Sequence, residues 1–553
     1  MAQPPTLLAL GRAALLLAAA LPVSSSLAQT TPPPAGRVEQ DIRRPPEPVP
    51  RPAIVVDRPR FAEQAPPGAE RASFTLGSVV LAGNTAIPTA DLAPLWADRL
   101  GQPITLAEAF GIAAAVSARY REAGYVLSQA LIPAQELATT APVALRIDVL
   151  EGHVDRVSFT GIEGERLAAY LAPVRAERPL RLATLERSLL LIGELAGVSA
   201  QANLRAGATR GASDLEIVVL RSPREFSLAA HNRSAPSQGR IRFEAGASLR
   251  GVAGAFDRHD LRLVTSGDER LALLAYAGEV PIGASGLKAV LSASTSRSEP
   301  TSTVGNIDTR SETMSIGLTY PVLRSRQASL GVRAHLTGYD NRSDTTAIRV
   351  SQDRIRALRM GLTADYADAV GGISLLDIEV AKGLSGLGAS RAGDPLLLGA
   401  VPTFSKLTLY AARLQSLGAN LSLLVAVTAQ ASGDKLPSAE QLGLGGETFL
   451  RAYDPSEVIG ENGLAGKVEL RSNLSFGAVE STLYAYVDSG QVRRKQVGAA
   501  DQKASLSAAG IGVRASGPNR TKGYIEIAKP IHRVVASRGN TEPRLFAGVG
   551  IDF

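Results

Sequence analysis

The sequence predicts a transmembrane antiparallel β-barrel of about sixteen strands, preceded by two small α+β domains. Three observations predict this fold. The chain opens with a secretory signal, so it is exported from the cytoplasm. A β-α-α-β-β order then occurs twice in succession, in residues 74–152 and 153–221. Residues 222–553 alternate between apolar and polar or small side chains with the period of two that strands show.

Residues 1–28 have the parts of a secretory signal peptide. Arg12 supplies the positive charge, the apolar run of Ala13–Leu21 follows it, and Ser26–Ala28 is a small-x-small cleavage site. Because about 30 Å of hydrocarbon needs roughly 20 apolar residues, this run is too short for a membrane anchor. The mature chain is therefore expected to begin at Gln29.

Composition and charge argue against several classes of function. The chain has no cysteine, so it forms no disulfide and offers no thiol to a metal. Its formal net charge of +7 comes from scattered arginines rather than a dense basic run, which argues against nucleic-acid binding. The five histidines have no metal-binding spacing, and the glycine clusters at 443–446 and 510–512 lack the context of a phosphate loop. We predict no enzymatic activity, no cofactor and no metal site.

A proline-rich linker occupies residues 29–73. Proline lacks a backbone donor and fixes φ, so this composition disfavours a long helix and favours extended, solvated chain. Only Gly36–Arg44 has room for two helical turns.

Residues 74–152 are predicted to form the first α+β unit. Thr105 and Glu108 have the spacing of a capping box, and Gly124 is suited to end the helix that they begin. The predicted elements are a strand at 78–82, a helix from Thr89 to about Leu100, the capped helix, and strands at 126–131 and 143–149.

Residues 153–221 are predicted to repeat this order. The predicted elements are a strand at 154–160, helices at 163–172 and 182–195, and strands at 198–204 and 215–220. Two units of roughly 75 residues with one element order indicate an internal repeat. Two unrelated small αβ domains are the alternative.

In residues 222–553 one face of each predicted strand is apolar. At 313–320, for example, this face consists of Met314, Ile316, Leu318 and Tyr320. A soluble β-sandwich also alternates, but these faces stay apolar for about ten residues, the length that a tilted strand needs to cross a membrane. The opposite faces carry Gly, Ser, Thr and Arg, as a wet lumen would, and the last strand ends on the aromatic Phe553. About sixteen such segments, an even number, close a barrel without an unpaired edge.

Several motifs in the first unit resemble one family, the two-partner secretion transporters of the ShlB/FhaC/HecB haemolysin-activation and adhesin-secretion type. The motifs are FTLGSVVLAGNTAIP (74–88), YREAGYVLSQALIPAQ (120–135) and VLEGHV (149–154). They resemble the family's first POTRA domain, and residues 197–219 resemble the closing strands of its second. The signature positions that the resemblance identifies are Gly83, Asn84, Tyr120, Gly124, Tyr125, Pro133, Gln135, Glu151 and Gly152.

The segment 443–463 resembles the family's sixth extracellular loop, which folds back into the barrel lumen. It lies in the predicted long loop 430–463, between the eleventh and twelfth strands. The family's tip reads apolar-Arg-Gly-aromatic, and here alanine replaces the glycine. The motif residues are Gly445, Gly446, Leu450, Arg451, Ala452 and Tyr453. If the tip requires a positive φ at Ala452, this alanine carries strain that glycine avoids.

The tripeptide at 486–488 (Tyr-Val-Asp) resembles the aromatic-x-Asp motif of the family's thirteenth strand. Alternation predicts that Tyr486 and Asp488 face the lumen, and Glu469 lies on the strand before them. The resemblance implies that Asp488 holds Arg451 in a bidentate ion pair, worth about 1.5–3 kcal/mol in a partly water-excluded lumen. The alternative is that both are ordinary lumen-lining charges.

Members of the family often carry an amphipathic N-terminal helix that plugs the pore. Gly36–Arg44 is short for this role and lies close to prolines. We therefore expect poor plugging, or closure by the loop alone.

The resemblance implies an outer-membrane transporter with two POTRA domains in the periplasm. It would recognise an unfolded exoprotein of adhesin or haemolysin type by strand addition to a POTRA sheet and export it through the barrel. The expected partners are this exoprotein, outer-membrane lipid and, during biogenesis, the barrel assembly machinery. We expect a monomer. The alternatives are an outer-membrane protein assembly or insertion factor, whose relatives usually carry more POTRA units, and a passive porin, which needs no receptor domains.

Overall fold

The computed structural model describes residues 36–42, 45–48, 56–57, 65–138, 141–161, 165–252, 254, 256–300 and 307–553. The predicted signal peptide (1–28) lies outside these residues, as does most of the proline-rich linker. Within the linker the structure describes helix α1 (Arg37–Ile42), residues 45–48, strand β1 (Val56–Asp57) and residues 65–73. No helix in the described parts of the chain is both long and apolar enough to span a bilayer.

A four-stranded sheet and one long helix form the first α+β unit. Its elements are β2 (Ser73–Ala82), α2 (Thr89–Leu92), β3 (Pro103–Thr105), α3 (Leu106–Glu122), β4 (Gln129–Leu131) and β5 (Val143–Leu150). The strand order is β3-β2-β5-β4, with β2 parallel to β5 and each edge strand antiparallel to its neighbour. The predicted capping box of Thr105 and Glu108 is present at the start of α3.

The apolar face of α3 covers this sheet. Ala109, Ala113, Val116 and Tyr120 lie along one side of the helix, at the spacing of an amphipathic face, and are all buried. They share one core with strand residues such as Leu145.

The helix predicted from Thr89 to about Leu100 is wrong in extent. It ends as an α-helix at Leu92 and continues only as two 3-10 turns within 93–99. Pro94 lies in the first of these turns. Because proline has no backbone N–H and its ring clashes with the preceding helical turn, the α-helical hydrogen bonds cannot continue through it.

Two further predicted elements differ in extent. The strand predicted from Val126 begins at Gln129, because residues 125–128 form a turn closed by a backbone hydrogen bond. The helix predicted at 163–172 is interrupted by a 3-10 turn at 169–171, just before Pro173.

The second unit repeats the topology of the first. Its elements are β6 (His153–Thr160), α4 (Glu165–Ala168), α5 (Ala172–Ala176), α6 (Leu182–Gly193), β7 (Val198–Ala206) and β8 (Ala212–Arg221). Strand β6 is parallel to β8 and β7 is antiparallel to β8, as β2 and β4 are to β5. The fourth strand of this sheet is β1 from the linker, which pairs in parallel with the outer edge of β7, whereas β3 flanks β2 in the first sheet.

The rest of the chain is a closed antiparallel barrel of sixteen strands, which confirms the predicted fold class. The strands and one inserted hairpin (β20 with β21) are β9 (Arg224–His231), β10 (Arg242–Arg250), β11 (Arg258–Ser266), β12 (Leu271–Ile282), β13 (Leu287–Ser298), β14 (Ile307–Arg324), β15 (Ala328–Thr345), β16 (Arg349–Ala367), β17 (Gly372–Gly383), β18 (Ser405–Ser416), β19 (Leu421–Ser432), β20 (Leu442–Leu444), β21 (Val458–Gly460), β22 (Asn462–Phe476), β23 (Val479–Arg494), β24 (Gln502–Ser516), β25 (Thr521–Pro530) and β26 (Arg544–Asp552). Strand β26 pairs with β9 and closes the barrel.

The two faces of the barrel wall differ as the alternation predicts. On β14 the outward Met314 is 58% exposed, whereas Ser311, of the opposite parity, is buried. On β26 Leu545 and Val549 are exposed, whereas Phe546 is buried inside the barrel. The outer face is therefore an apolar surface suited to lipid, and the inner face is packed against material in the lumen.

We predict that Leu318→Arg destabilises the barrel. Leu318 belongs to the outward face of β14 and is 48% exposed. An arginine there would meet hydrocarbon, at a cost of about 2–4 kcal/mol near the bilayer midplane. Thr319→Arg is the matched control, because the neighbouring side chain on a strand points into the lumen. Urea unfolding in lipid vesicles measures the difference, and equal unfolding free energies for the two variants would contradict this assignment of faces.

Candidate functional site

A loop of residues 433–461 joins β19 to β22 and folds into the barrel; we call it the lumenal loop. It lies between the eleventh and twelfth barrel strands, where the sequence predicted it. Its tip residues Leu450 and Tyr453 are buried in one cluster with Tyr410, Tyr484 and Phe546 of the inner wall. The loop therefore occupies the lumen rather than the outer surface.

The backbone of the loop tip differs from the expectation for Ala452. The residue with a positive φ is Leu450, at 59°, and Ala452 is not in the left-handed region. Ala452 is fully buried, and its carbonyl oxygen accepts a hydrogen bond of 2.9 Å from Arg544. The strain expected at the alanine is therefore absent. Gly445 and Gly446 do have positive φ values, and a Cβ on Gly445 would collide with the carbonyl oxygen of Asp454.

Arg451 and Asp488, which the sequence predicted to be partners, lie in direct contact. The Nε and Nη2 atoms of Arg451 donate to the two carboxylate oxygens of Asp488, each at 3.1 Å. The backbone N–H of Arg451 donates to the same carboxylate at 3.2 Å. The guanidinium also lies over the ring of Tyr486, 3.3 Å from its centroid. Arg451 is only 2% exposed, so this two-pronged contact is shielded from water.

A second carboxylate shares the Arg451 guanidinium. Nη1 of Arg451 donates to Glu469, which is fully buried on β22 next to Asp488 on β23. Glu469 also accepts from Arg471 at 2.7 Å and from Arg514 at 3.2 Å. The arginine of the loop is thus held by acidic side chains of two neighbouring strands. Removing one partner of such a buried pair leaves an uncompensated charge, at a cost of about 3–5 kcal/mol.

The ring of Tyr486 belongs to a polar network on the same wall. Its hydroxyl and that of Tyr484 each donate to Glu526, at 2.7 Å. Glu526 is also paired with Arg233 at 2.7 Å. The aromatic rings beside Arg451 therefore have fixed positions.

The root of the lumenal loop has a contact that could not be predicted from the sequence. Glu440, only 1% exposed, contacts Arg359 of β16 and Lys406 of β18. Its backbone carbonyl accepts from Lys406 at 3.2 Å and from Gln430 at 3.0 Å. The sequence offers little sign of this contact. Glu440 is an acidic residue in a predicted loop, and its two cationic partners lie far from it in the chain. The root and the tip of the loop thus contact different strands of the wall.

A third contact joins the loop to the last barrel strand. Asp454 pairs with Arg544 at 2.5 Å and accepts from Ser537 in the loop before β26. Glu457 accepts from the backbone N–H of Ala536 at 2.6 Å. The hydroxyl of the expected motif residue Tyr453 lies within hydrogen-bonding distance of the backbone carbonyl oxygens of Ser507 and Arg533, at 3.2 and 3.0 Å.

Helix α1 lies in the lumen against the loop, which corrects the expectation that closure depends on the loop alone. Arg37 is 1% exposed, and its guanidinium donates to the carbonyl oxygen of Gln441 at 2.6 Å and to Ser456 Oγ at 2.6 Å. Ser456 Oγ in turn donates to Asp41 at 2.6 Å. Val38 packs in a cluster with wall residues of β11 and β12. The helix is short, and tertiary contacts hold it.

After α1, the described linker residue Glu47 contacts a different part of the wall, strand β22. Glu47 accepts from Arg471 at 3.0 Å and lies 3.8 Å from Lys467. Arg471 therefore contacts both Glu47 of the linker and Glu469, the carboxylate that holds Arg451. Burial raises the pKa of Glu47, but these cations outweigh it, so the pKa of Glu47 lies below its ordinary value.

The signature residues of the first unit hold its fold rather than line a pocket. Gly83 has φ 87°, and a Cβ there would collide with the carbonyl of Val149. The Asn84 amide donates to the carbonyl of Ile87 at 3.1 Å and to the Thr89 hydroxyl at 3.0 Å. The remaining signature contacts are a positive φ at Gly124, a ring contact of 5.8 Å between Tyr120 and Tyr125, hydrogen bonds of Gln135 to the backbone at Pro133 and Arg146, and a close approach of Gly152 to the Leu127 backbone.

Glu151 joins the turn after β2 to helix α3. Its carboxylate accepts from the backbone N–H groups of Thr85 and Ala86, both at 2.6 Å, and from the Tyr120 hydroxyl at 2.8 Å. Burial by itself raises the pKa of this carboxyl. The hydrogen bonds outweigh burial, so the pKa of Glu151 lies below its ordinary value.

The last predicted site residue, Phe553, lies at the end of β26. Its ring stacks on Phe226 of β9 with centroids 5.8 Å apart, and their backbones exchange two hydrogen bonds of 2.8 and 2.9 Å. Phe553 therefore belongs to the closure of the barrel. Among the residues that the structure describes, no group of His, Asp and Glu is arranged to hold a metal ion.

The sequence of this chain is similar to those of known outer-membrane transporters and matches two family models. The family model for haemolysin secretion/activation proteins ShlB/FhaC/HecB matches residues 211–515, and that for the ShlB-type POTRA domain matches 74–152. The outer membrane transporter CdiB of Escherichia coli is 23% identical over 412 residues, covering 72% of this chain and 68% of the relative.

Solved structures share the fold. CdiB from Escherichia coli has a TM-score of 0.72 at 20% identity, covering 90% of this chain and 93% of that one. CdiB from Acinetobacter baumannii has a TM-score of 0.63 at 14% identity, covering 99% and 97%. At these identities the likeness concerns the fold alone.

We predict that Arg451→Lys loosens the lumenal loop. Lysine keeps the charge but cannot form the fork to Asp488 and Glu469. Since one charge-assisted hydrogen bond is worth about 1.5–3 kcal/mol, the ratio of open to closed loop states should rise about tenfold or more. Ion conductance in planar bilayers measures this ratio. Arg262→Lys is the control, because Arg262 pairs with Glu244 of the wall. Conductance equal to that of the control would contradict the role given to Arg451.

We predict that acid weakens the first unit through Glu151. Because its folded-state pKa is lowered from the ordinary 4.5, its stabilisation is present above that value and is lost as the pH falls through the folded pKa. Glu151→Gln should remove this part of the pH dependence, since an amide does not ionise. Hydrogen exchange of α3 in the full chain measures the effect, with Glu122→Gln on the exposed side of α3 as control. An unchanged acid profile in Glu151→Gln would refute the prediction.

Proposed function

The chain belongs to the ShlB/FhaC/HecB family of haemolysin secretion/activation proteins, which are outer-membrane transporters, and we propose how it performs export. An unfolded exoprotein binds the periplasmic units, displaces the segments that fill the barrel, and leaves through the lumen. The observation that carries this proposal is the filling of a closed sixteen-stranded barrel by segments of the chain itself.

Each segment that the structure describes in the lumen is held by contacts that can be broken and remade. Helix α1 is held through Arg37, the linker through Glu47, and the lumenal loop through Arg451 and Glu440. These are hydrogen bonds and ion pairs to the wall or to one another. A passive porin requires neither such removable segments nor two periplasmic units.

The receptor that we propose is the outer edge of β7. In the described part of the chain, this edge is covered by the two residues of β1, which pair with Ala202 and Asn203. Strand β7 has nine residues, so most of its edge extends beyond this pairing. An unfolded polypeptide that adds a longer strand would form more backbone hydrogen bonds than β1 does and would replace it.

Displacement of β1 would act on the lumen because the connection is short. From Glu47 to Val56 the chain advances nine residues, which span at most about 30 Å when fully extended. A shift of β1 away from β7 therefore changes the position available to Glu47. When Glu47 leaves Arg471 and Lys467, these cations lose their linker partner beside the Arg451 site.

The cargo that we propose is an exoprotein of adhesin or haemolysin type that folds only outside the cell. Folding at the surface would supply the drive, since it makes return through the barrel unfavourable. The transporter would work as a monomer after insertion by the barrel assembly machinery. An assembly or insertion factor is the alternative, and it would not export a co-expressed exoprotein to the medium.

We predict that replacing both Val56 and Asp57 by proline increases binding of an unfolded exoprotein segment. Proline cannot donate to a β-ladder, so β1 loses its pairing and the edge of β7 becomes free. Fluorescence anisotropy with a labelled segment of the co-expressed exoprotein and the full-length transporter measures the affinity. Replacement of both residues by threonine is the control, because threonine keeps the donors and favours strands. Weaker or unchanged binding by the proline variant would contradict a competition between β1 and the cargo.

A further inference from the structure

A basic cavity of about 640 Å³ lies at the periplasmic end of the barrel seam, between the chain that enters β9 and the turn before β25. We propose that this cavity binds the phosphate of an anionic phospholipid from the periplasmic leaflet of the outer membrane. The bound lipid would join the two sides of the seam where β26 meets β9. This inference concerns the barrel wall and does not depend on the proposed receptor edge.

Positive charges outnumber negative charges around the cavity. Five cations line it, Arg221, Arg224, Arg250, Arg520 and Lys522, against the two acids Glu225 and Asp552. Both acids are already paired: Glu225 with Arg250 at 2.5 Å and Asp552 with Lys522 at 2.9 Å. Within the described parts of the chain, the other three arginines have no carboxylate partner, and Arg221 lies over the ring of Phe256. An anion is the ligand that this surplus of positive charge fits.

The cavity lies at the end of the barrel next to the second α+β unit, the rim at which lipid headgroups would meet a membrane barrel. The preceding periplasmic unit, the turn at 517–520 and the end of β26 all meet at this rim. Directly above it on the outer face are Leu228 and Phe553, which are both exposed. The stacked rings of Phe226 and Phe553 mark the boundary of the apolar surface, as aromatic girdles do in membrane barrels.

The direction of the side chains favours a lipid over an acidic segment of the cargo. Arg224 has the same parity on β9 as Leu228, so it belongs to the outward face, whereas the two paired acids Glu225 and Asp552 have lumenal parity. A phosphate between Arg224 and Arg520 would leave its acyl chains beside Leu228 and Phe553. A polypeptide in transit through the lumen would not meet Arg224 on this face.

The turn that carries Arg520 has an unusual backbone. Asn519 and Arg520 both have positive φ values, of 58° and 55°. Residues with a Cβ seldom adopt this conformation, and strained backbone often occurs where a side chain must be held for a ligand. Here it holds Arg520 at the wall of the cavity.

A lipid bound at the seam would stabilise the closure of the barrel. The register of β26 with β9 runs from Gly548 to Asp552 and is continued by the backbone hydrogen bonds of Phe553, a shorter pairing than that of β9 with β10. A phosphate held by Arg224 on β9 and by Arg520 before β25 would bridge across the end of β26. We expect the lipid to stabilise closure of the barrel at this end.

The test is native mass spectrometry of the full-length protein in detergent, titrated with phosphatidylglycerol and, separately, with zwitterionic phosphatidylcholine. We expect phosphatidylglycerol to bind to the wild type. The double variant Arg224→Gln/Arg520→Gln should bind it roughly tenfold or more weakly, because two cations near the phosphate are lost. Arg413→Gln is the matched control: this arginine has outward parity at the same rim but is neutralised by Asp368 at 2.6 Å. The double variant Arg224→Lys/Arg520→Lys keeps both positive charges and should retain most of the binding of phosphatidylglycerol.

Four outcomes would overturn the proposal. They are unchanged phosphatidylglycerol binding by the double glutamine variant, equal loss in Arg413→Gln, equal affinity for phosphatidylcholine, and inorganic phosphate binding as tightly as the lipid. If binding of a poly-aspartate peptide requires Arg224 and binding of phosphatidylglycerol does not, the cavity is a polypeptide site. The double lysine variant controls for misfolding. If it binds phosphatidylglycerol and the double glutamine variant does not, the loss of binding comes from the loss of charge.

Discussion

The contact of Arg451 with Asp488 and Glu469 is the interaction on which we propose that the closed position of the lumenal loop depends. One buried guanidinium joins the tip of the lumenal loop to two neighbouring strands, β22 and β23. Because a partly broken contact would leave a buried charge without its partner, intermediate positions of the tip are unfavourable. The tip therefore either keeps its contacts with the wall or leaves this site altogether. Such behaviour suits a gate that must be closed at rest and open during transport.

The other segments in the lumen are joined to this contact through shared partners. Ser456 of the loop accepts from Arg37 and donates to Asp41, so α1 and the loop hold each other in place. Arg471 contacts both Glu469 and Glu47, so the linker ends at the same cluster as the loop tip. The linker then supplies β1 to the sheet of the second unit. The edge where we propose that cargo binds and the loop that closes the barrel are thus connected by one short stretch of chain.

The features that follow from local pattern could be predicted from the sequence. The period of two predicted the number of barrel strands and the inward direction of Asp488, and the resemblance predicted the position of the loop. The contact of Glu440 with Arg359 and Lys406 could not be predicted, because these residues lie far apart in the chain and share no local pattern. Helix α1 has six residues, too few for intrinsic stability, so only tertiary contacts establish it. In the same way, packing decided that Leu450 rather than Ala452 takes the left-handed conformation.

A reversible tether between the lumenal loop and its surroundings tests the central claim most directly. Asp454 of the loop and Ser537 of the segment before β26 have their side chains in hydrogen-bonding contact. The chain has no cysteine, so cysteines at these two positions would form a single defined disulfide. Export of the co-expressed exoprotein should stop when the pair is oxidised and resume when it is reduced. Export at the same rate in both states would show that the loop need not leave its closed position, and would contradict the account.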